Sequence, residues 1–133
     1  MITLDQYLQG RDKTFPEEYN EEIKQNAEEL LFRVNNLIDA LKLSSVEVSS
    51  GWRPPSYNRT VKGAALRSKH TTGQAIDLAD SNGKLKQAIL RAMFFETKFL
   101  ERMNLFMEDP ASTKTWVHLQ TMPPKSGKRV FKP

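Results

Sequence analysis

The feature that most restricts the fold is an apolar stripe in residues 17–42, where Ile23, Ala27, Leu30, Leu31, Val34, Leu37, Ile38 and Leu41 recur at spacings of three and four. That period places them on one side of an α-helix, so the rest of the chain must supply a long apolar surface for it to cover. Pro16 and the glutamates after it suit the first turn of such a helix, where a fixed φ is tolerated and carboxylates face the positive end of the dipole. A chain of 133 residues, 38% of them hydrophobic, has material for one modest core. One domain is therefore expected over 1–133, with 1–45 as a helical scaffold, 46–121 as the part that carries the chemistry, and 122–133 as a basic tail.

Beyond the stripe the period changes. "SVEVSSGW" alternates Val46 and Val48 with polar residues and reads as a short strand ending at Gly51. "RPPSYNRTVKGAALRS" reads as a loop with a helical turn around Tyr57 to Val61, and "QAIDLAD" as a second strand. "SNGKLKQAILRAMFFETKFLERMN" reads as one further helix with Ser81 as its cap. Two strands close the series, Leu105 to Glu108 and Thr115 to Thr121, joined by a turn at Asp109-Pro110. The fold class is α+β, a small antiparallel sheet flanked by helices.

Cysteine is absent, so disulfides, thiolate metal sites and cysteine nucleophiles are excluded, and any metal must be held by His, Asp or Glu. No basic start followed by an apolar run opens the sequence, so synthesis in the cytoplasm without a signal peptide is expected, as is the lack of a transmembrane segment. The net charge of +4 hides an asymmetry: residues 1–50 carry five Lys/Arg against ten Asp/Glu, and residues 51–133 carry fifteen against six. A basic second part suits an anionic partner, or simply a solvated face. Its cations are scattered over loops and helices, so specific nucleic-acid binding is ranked low.

Only two histidines are present, His70 and His118. In "WVHLQ", strand alternation puts Trp116, His118 and Gln120 on one face and Val117 and Leu119 on the other. In "QAIDLAD" it groups Asp77 with Ala75 and Ala79, which leaves room beside the carboxylate. A zinc ion accepts two imidazole nitrogens and a carboxylate oxygen and keeps a fourth position for water. Gly73, between His70 and Asp77, would allow a close approach or a conformation that a side chain hinders. The spacing alone is weak, since a lone histidine is more often structural than a ligand.

Three segments together carry a resemblance. "SKHTTGQAID" fits the pattern Ser-x-His-x-x-Gly-x-Ala-x-Asp, "SGWRPPSYN" precedes it, and "WVHLQ" follows. In that order they resemble the zinc D-alanyl-D-alanine carboxypeptidases and L-alanyl-D-glutamate endopeptidases of the hedgehog/DD-peptidase fold, and the compact form is similar to phage-encoded wall peptidases. The resemblance spans residues 49–120 and implies one Zn2+ held by His70, Asp77 and His118. It implies that Arg53 binds a substrate carboxylate or polarises the scissile carbonyl, a task suited to a permanently charged planar fork. Ser68 either hydrogen-bonds within the site or caps a turn. Trp116 either lines a substrate wall or packs the sheet, and Gln120 binds substrate or orients His118.

The chain departs from part of that family at one point. Many relatives have Glu or Asp three residues before the last histidine, where this sequence has Thr115, which cannot act as a base near neutral pH. Glu108 and Asp109 are the favoured substitutes, with Asp80 behind them; Asp109 could equally be a turn initiator and Glu108 a solvated strand end. The implied substrate is a peptidoglycan stem peptide at the bacterial cell wall, with a phage holin as the partner that would give access. The competing reading is a zinc-bearing module, impaired in catalysis, that binds wall peptide or serves a virion structure.

Overall fold

The computed structural model describes residues 1–133, and its elements follow the polarity of the sequence closely. Thr3 opens α1 (Leu4–Leu8): its hydroxyl accepts from Gln6 N, and the Gln6 side chain accepts from Thr3 N, a reciprocal capping box. A short α2 (Arg11–Thr14) leads to the long helix α3 (Glu21–Ala40). Its N-cap is Asn20, whose side chain accepts from Ile23 N, so Pro16 lies in the preceding turn rather than in the helix. The side-chain cap satisfies a backbone donor that proline, set further back, leaves open.

Five strands form one sheet in the order β1-β2-β4-β3-β5: β1 (Val48–Ser50), β2 (Ala75–Ala79), β3 (Phe106–Glu108), β4 (Trp116–Gln120) and β5 (Val130–Phe131). Neighbours from β1 to β3 run antiparallel, whereas β5 lies parallel to β3, so the sheet is mixed. This corrects the expectation of an antiparallel sheet, and it also gives part of the basic tail a fixed place. Arg129 anchors the added strand: its guanidinium lies 4.1 Å from the centre of the Phe106 ring, and Nη1 donates to Leu105 O at 3.1 Å.

Between β1 and β2 the chain forms α4 (Pro55–Asn58), then a 3₁₀ turn at Lys69–Thr72. The expected helix after β2 is two helices, α5 (Lys84–Phe95) and α6 (Phe99–Met103), because Glu96 leaves the helical conformation at φ −134°. Ser81 is not the cap of α5. Asp80 takes that part with a buried carboxylate that accepts from Leu85 N and Lys86 N. Ala27, Leu30, Val34 and Leu37 of α3, all fully buried, pack with Ile76, Leu78, Val117 and Leu119 of the sheet in one cluster of 21 buried residues. That cluster begins at Ile2 and includes Leu100 and Met103 of α6, so the first residues of the chain and α6 share the core that α3 forms with the sheet.

Candidate metal centre and cleft

Register sets the site. Asp77 on β2 pairs directly with His118 on β4. The β3–β4 pairing, Phe106 with Gln120 and Met107 with Leu119, continued by one residue sets Glu108 opposite His118, and Glu108 in turn pairs with Phe131 on β5. Asp77, His118, Glu108 and Phe131 therefore form one row across four strands on the outer face of the sheet. Such a row needs no loop to be folded correctly, only a sheet in register.

His70 reaches the row from outside the sheet. Its 3₁₀ turn is fastened to residues 51–53, with Arg53 N donating to His70 O at 3.0 Å and the Trp52 indole donating to Thr71 O at 3.0 Å. Ser68 caps the turn by accepting from His70 N. Gly73 ends it at φ +76°, and a Cβ there would stand 2.9 Å from Ile23 O, so glycine is required both by conformation and by the closeness of α3. Gly51 is tighter still: a Cβ would fall 1.7 Å from Tyr7 O.

The two imidazoles are held in different ways. His70 Nδ1–H donates to Gly51 O at 2.8 Å, which leaves Nε2 with the lone pair. That Nε2 is 3.3 Å from Asp77 Oδ1 but outside hydrogen-bond geometry, a buried nitrogen without a partner. His118 Nε2–H donates to Gln120 Oε1 at 2.9 Å, and its Nδ1 points to Asp77 Oδ1 at 2.8 Å. One ligand-type atom from each of His70, Asp77 and His118 lies within 4.8 Å of the others. Two imidazole nitrogens and one carboxylate oxygen converging at an orphaned buried nitrogen fit a divalent metal with one position left for water.

Electrostatics follows from the same contacts. Burial alone would raise the Asp77 carboxyl, but the hydrogen bond with His118 and the closeness of both imidazoles outweigh that and hold it well below the usual carboxylate range. Burial lowers His70. For His118 burial works in the same direction, yet the hydrogen bond to Asp77 prevails and the ring is raised above its ordinary value. Burial raises Glu108 from its ordinary value, partly opposed by His118.

The row opens into a cleft of about 830 Å³. Arg53, Ser68, Glu108, Thr115, Trp116 and Gln120 all line it beside the three metal-type ligands. Arg53 is half-buried, and its Nη2 donates to Ser68 Oγ at 3.4 Å while Nε has no partner. Gln120 Nε2 donates onward to Met122 O at 2.8 Å, which fixes its amide with the oxygen toward His118. The structure does not bring Asp109 or Asp80 into the cleft. Asp109 Oδ1 accepts from Ala111 N in the turn, and the Asp80 carboxylate is spent on the start of α5. Phe131, not singled out from the sequence, also lines the cleft and stands edge-on to His118 at 6.1 Å between ring centres.

These features define a class: an α+β domain whose sheet presents a two-histidine, one-carboxylate centre at the floor of an open cleft. The family model described as Peptidase M15 matches residues 8–119, and the chain belongs to that family, one of metal-dependent peptidases. No curated protein and no solved structure matches the chain significantly. No helix is long and apolar enough to cross a membrane.

Proposed function

We propose that this metallopeptidase is a zinc enzyme that hydrolyses peptide bonds of peptidoglycan stem peptides, of the D-alanyl-D-alanine carboxypeptidase or L-alanyl-D-glutamate endopeptidase type, in phage lysis or wall remodelling. The observation that carries the reading is the buried, unpartnered Nε2 of His70 facing Asp77 and His118 beneath an open cleft. His70, Asp77 and His118 would hold the zinc, which would supply a Lewis acid for the scissile carbonyl and a water of lowered pKa.

The chain's own groups divide the remaining work. Glu108, next to His118 in the row, accepts the proton of the attacking water and returns it to the leaving amine; burial raises its carboxyl from the ordinary value, which makes it a stronger base. Arg53, with Ser68 at its Nη2, binds a substrate carboxylate or the carbonyl oxygen. Trp116 forms part of the cleft wall, and Gln120 keeps Nδ1 of His118 directed inward. Access to the wall would come through a phage holin or another export route.

Thr115, in the place where many relatives have a carboxylate, favours the second reading, a wall-peptide-binding or virion module without turnover. Purified peptidoglycan distinguishes the two. The enzyme reading expects release of new amino groups or free D-alanine, abolished by chelator and restored by zinc. Zinc-loaded protein that binds wall peptide yet releases nothing would establish the second reading instead.

A further inference from the structure

We propose that Lys62, Arg67 and Lys69 form an anion subsite at the edge of the cleft, so that the preferred substrate carries a carboxylate remote from the scissile bond in addition to any group bound by Arg53. The inference rests on the peptidase reading for its substrate, but its test does not need turnover. All three side chains line the cleft and come from the short stretch between α4 and the 3₁₀ turn that delivers His70. Lys62 and Arg67 are exposed and Lys69 is half-buried, and none of the three makes an ion pair or a side-chain hydrogen bond within the chain. Cations without intramolecular partners contribute nothing evident to the fold.

Their surroundings give them a direction. The only Asp and Glu residues that line the cleft are Asp77, which lies against two imidazoles, and Glu108, which lies on β3 beyond His118. One edge of the cleft is thus cationic and the side formed by β3 and β5 carries Glu108 and Phe131. Gly63, Ala64 and Ala65 between the cations are small and leave that edge open to a peptide. A peptide with an acidic residue away from the cleaved bond would be drawn in one orientation, with that carboxylate toward residues 62–69.

The test compares two synthetic pentapeptides ending in D-alanyl-D-alanine, one with an internal D-glutamate and the other with D-glutamine at the same place. Binding to the zinc-loaded full chain is read at low salt by stopped-flow tryptophan fluorescence, before turnover; Trp116 lines the cleft, whereas Trp52 is fully buried. Exposed charge pairs are individually weak, so the three together are expected to favour the acidic peptide by about tenfold. The combined Lys62→Ala, Arg67→Ala, Lys69→Ala variant should lose that preference with little change for the neutral peptide. Arg67→Glu, a single exposed change, leaves two cations against one carboxylate and should reduce the preference without reversing it. Equal affinities in the unaltered protein, no binding of either peptide, or a preference that survives the triple variant each overturn the inference. Cleavage of wall peptides without charge preference overturns it while leaving the peptidase reading intact.

Discussion

The two faces of the β2–β4 pair are made from alternate residues of the same two strands, yet they differ in almost every property. On the inner face Ile76, Leu78, Val117 and Leu119 are no more than 1% exposed and meet α3. On the outer face Asp77 and His118 share a hydrogen bond, and Trp116 lines an open cleft. The strand period of two thus separates cohesion from chemistry at a distance of one residue. A slip of register by one would exchange the faces, so the apolar set that stabilises the domain also fixes which residues converge at the candidate metal centre.

The largest effects should come from the outer face, and they should be effects on metal and turnover. Asp77→Ala removes the atom shared by both imidazoles, so peptide release is expected to fall to the uncatalysed background. Zinc at 100 times the wild-type Kd should stabilise the unaltered protein by about 2.7 kcal/mol and this variant hardly at all. Thermal unfolding with and without zinc measures the difference. A variant that keeps the full zinc shift would remove Asp77 from the centre.

Glu108→Gln comes next, because it keeps shape and hydrogen bonding but cannot take a proton. A general base is worth about 10²–10⁴ in rate, so kcat should fall by that factor while zinc affinity stays constant. Asp109→Asn, in the turn outside the cleft, should leave kcat near its original value. If Asp109→Asn carries the loss instead, the row across the sheet is not what sets the catalytic groups.

On the inner face Leu78→Ala should do the reverse. Deleting a fully buried leucine costs about 2–5 kcal/mol, readable as a lower urea midpoint. The folded fraction should bind zinc as before, since the backbone of β2 still presents Asp77. Loss of zinc affinity in protein that remains folded would show that the two faces are coupled more strongly than their alternation implies.

Much of this division was legible in the sequence because it rests on short periods. The α3 stripe, the strands around Asp77 and His118, and the sides on which Val117 and Leu119 fall follow from spacings of three to four and of two. The convergence of His70 with the strands needed a family pattern, since a 3₁₀ turn delivered by backbone bonds to residues 51–53 has no periodic signal. The break at Glu96 was obscured because residues compatible with a helix continue on both sides of it, and the cap by Asp80 because it reaches five and six residues ahead, to Leu85 N and Lys86 N. A strand of two residues, Val130–Phe131, has no alternation to read, and its parallel pairing with β3 depends on distant contacts. At the other end, the capping-box spacing of Thr3 and Gln6 before an apolar turn went unread, so α1 was not among the expected elements.

The smallest predicted effect concerns how each histidine is held. His70 is oriented by a backbone carbonyl, Gly51 O, which no side-chain substitution removes, whereas His118 depends on the side chain of Gln120. The Gln120 amide is itself fixed by its donation to Met122 O, and the residue is 5% exposed, so water cannot readily replace its oxygen. Gln120→Ala should therefore free His118 to rotate and adopt either tautomer, and zinc affinity should drop by about 10–100-fold, measured by competition with a chromophoric chelator. Gln120→Glu is the informative partner: it gives up the bond to Met122 O but keeps an acceptor for Nε2–H, and should retain most of the affinity. If both variants bind zinc equally weakly, the residue acts by filling space beneath the strand; if both bind normally, pairing with Asp77 alone is enough to orient the ring. Only a loss in Gln120→Ala that is recovered in Gln120→Glu assigns the orientation of His118 to the hydrogen bond.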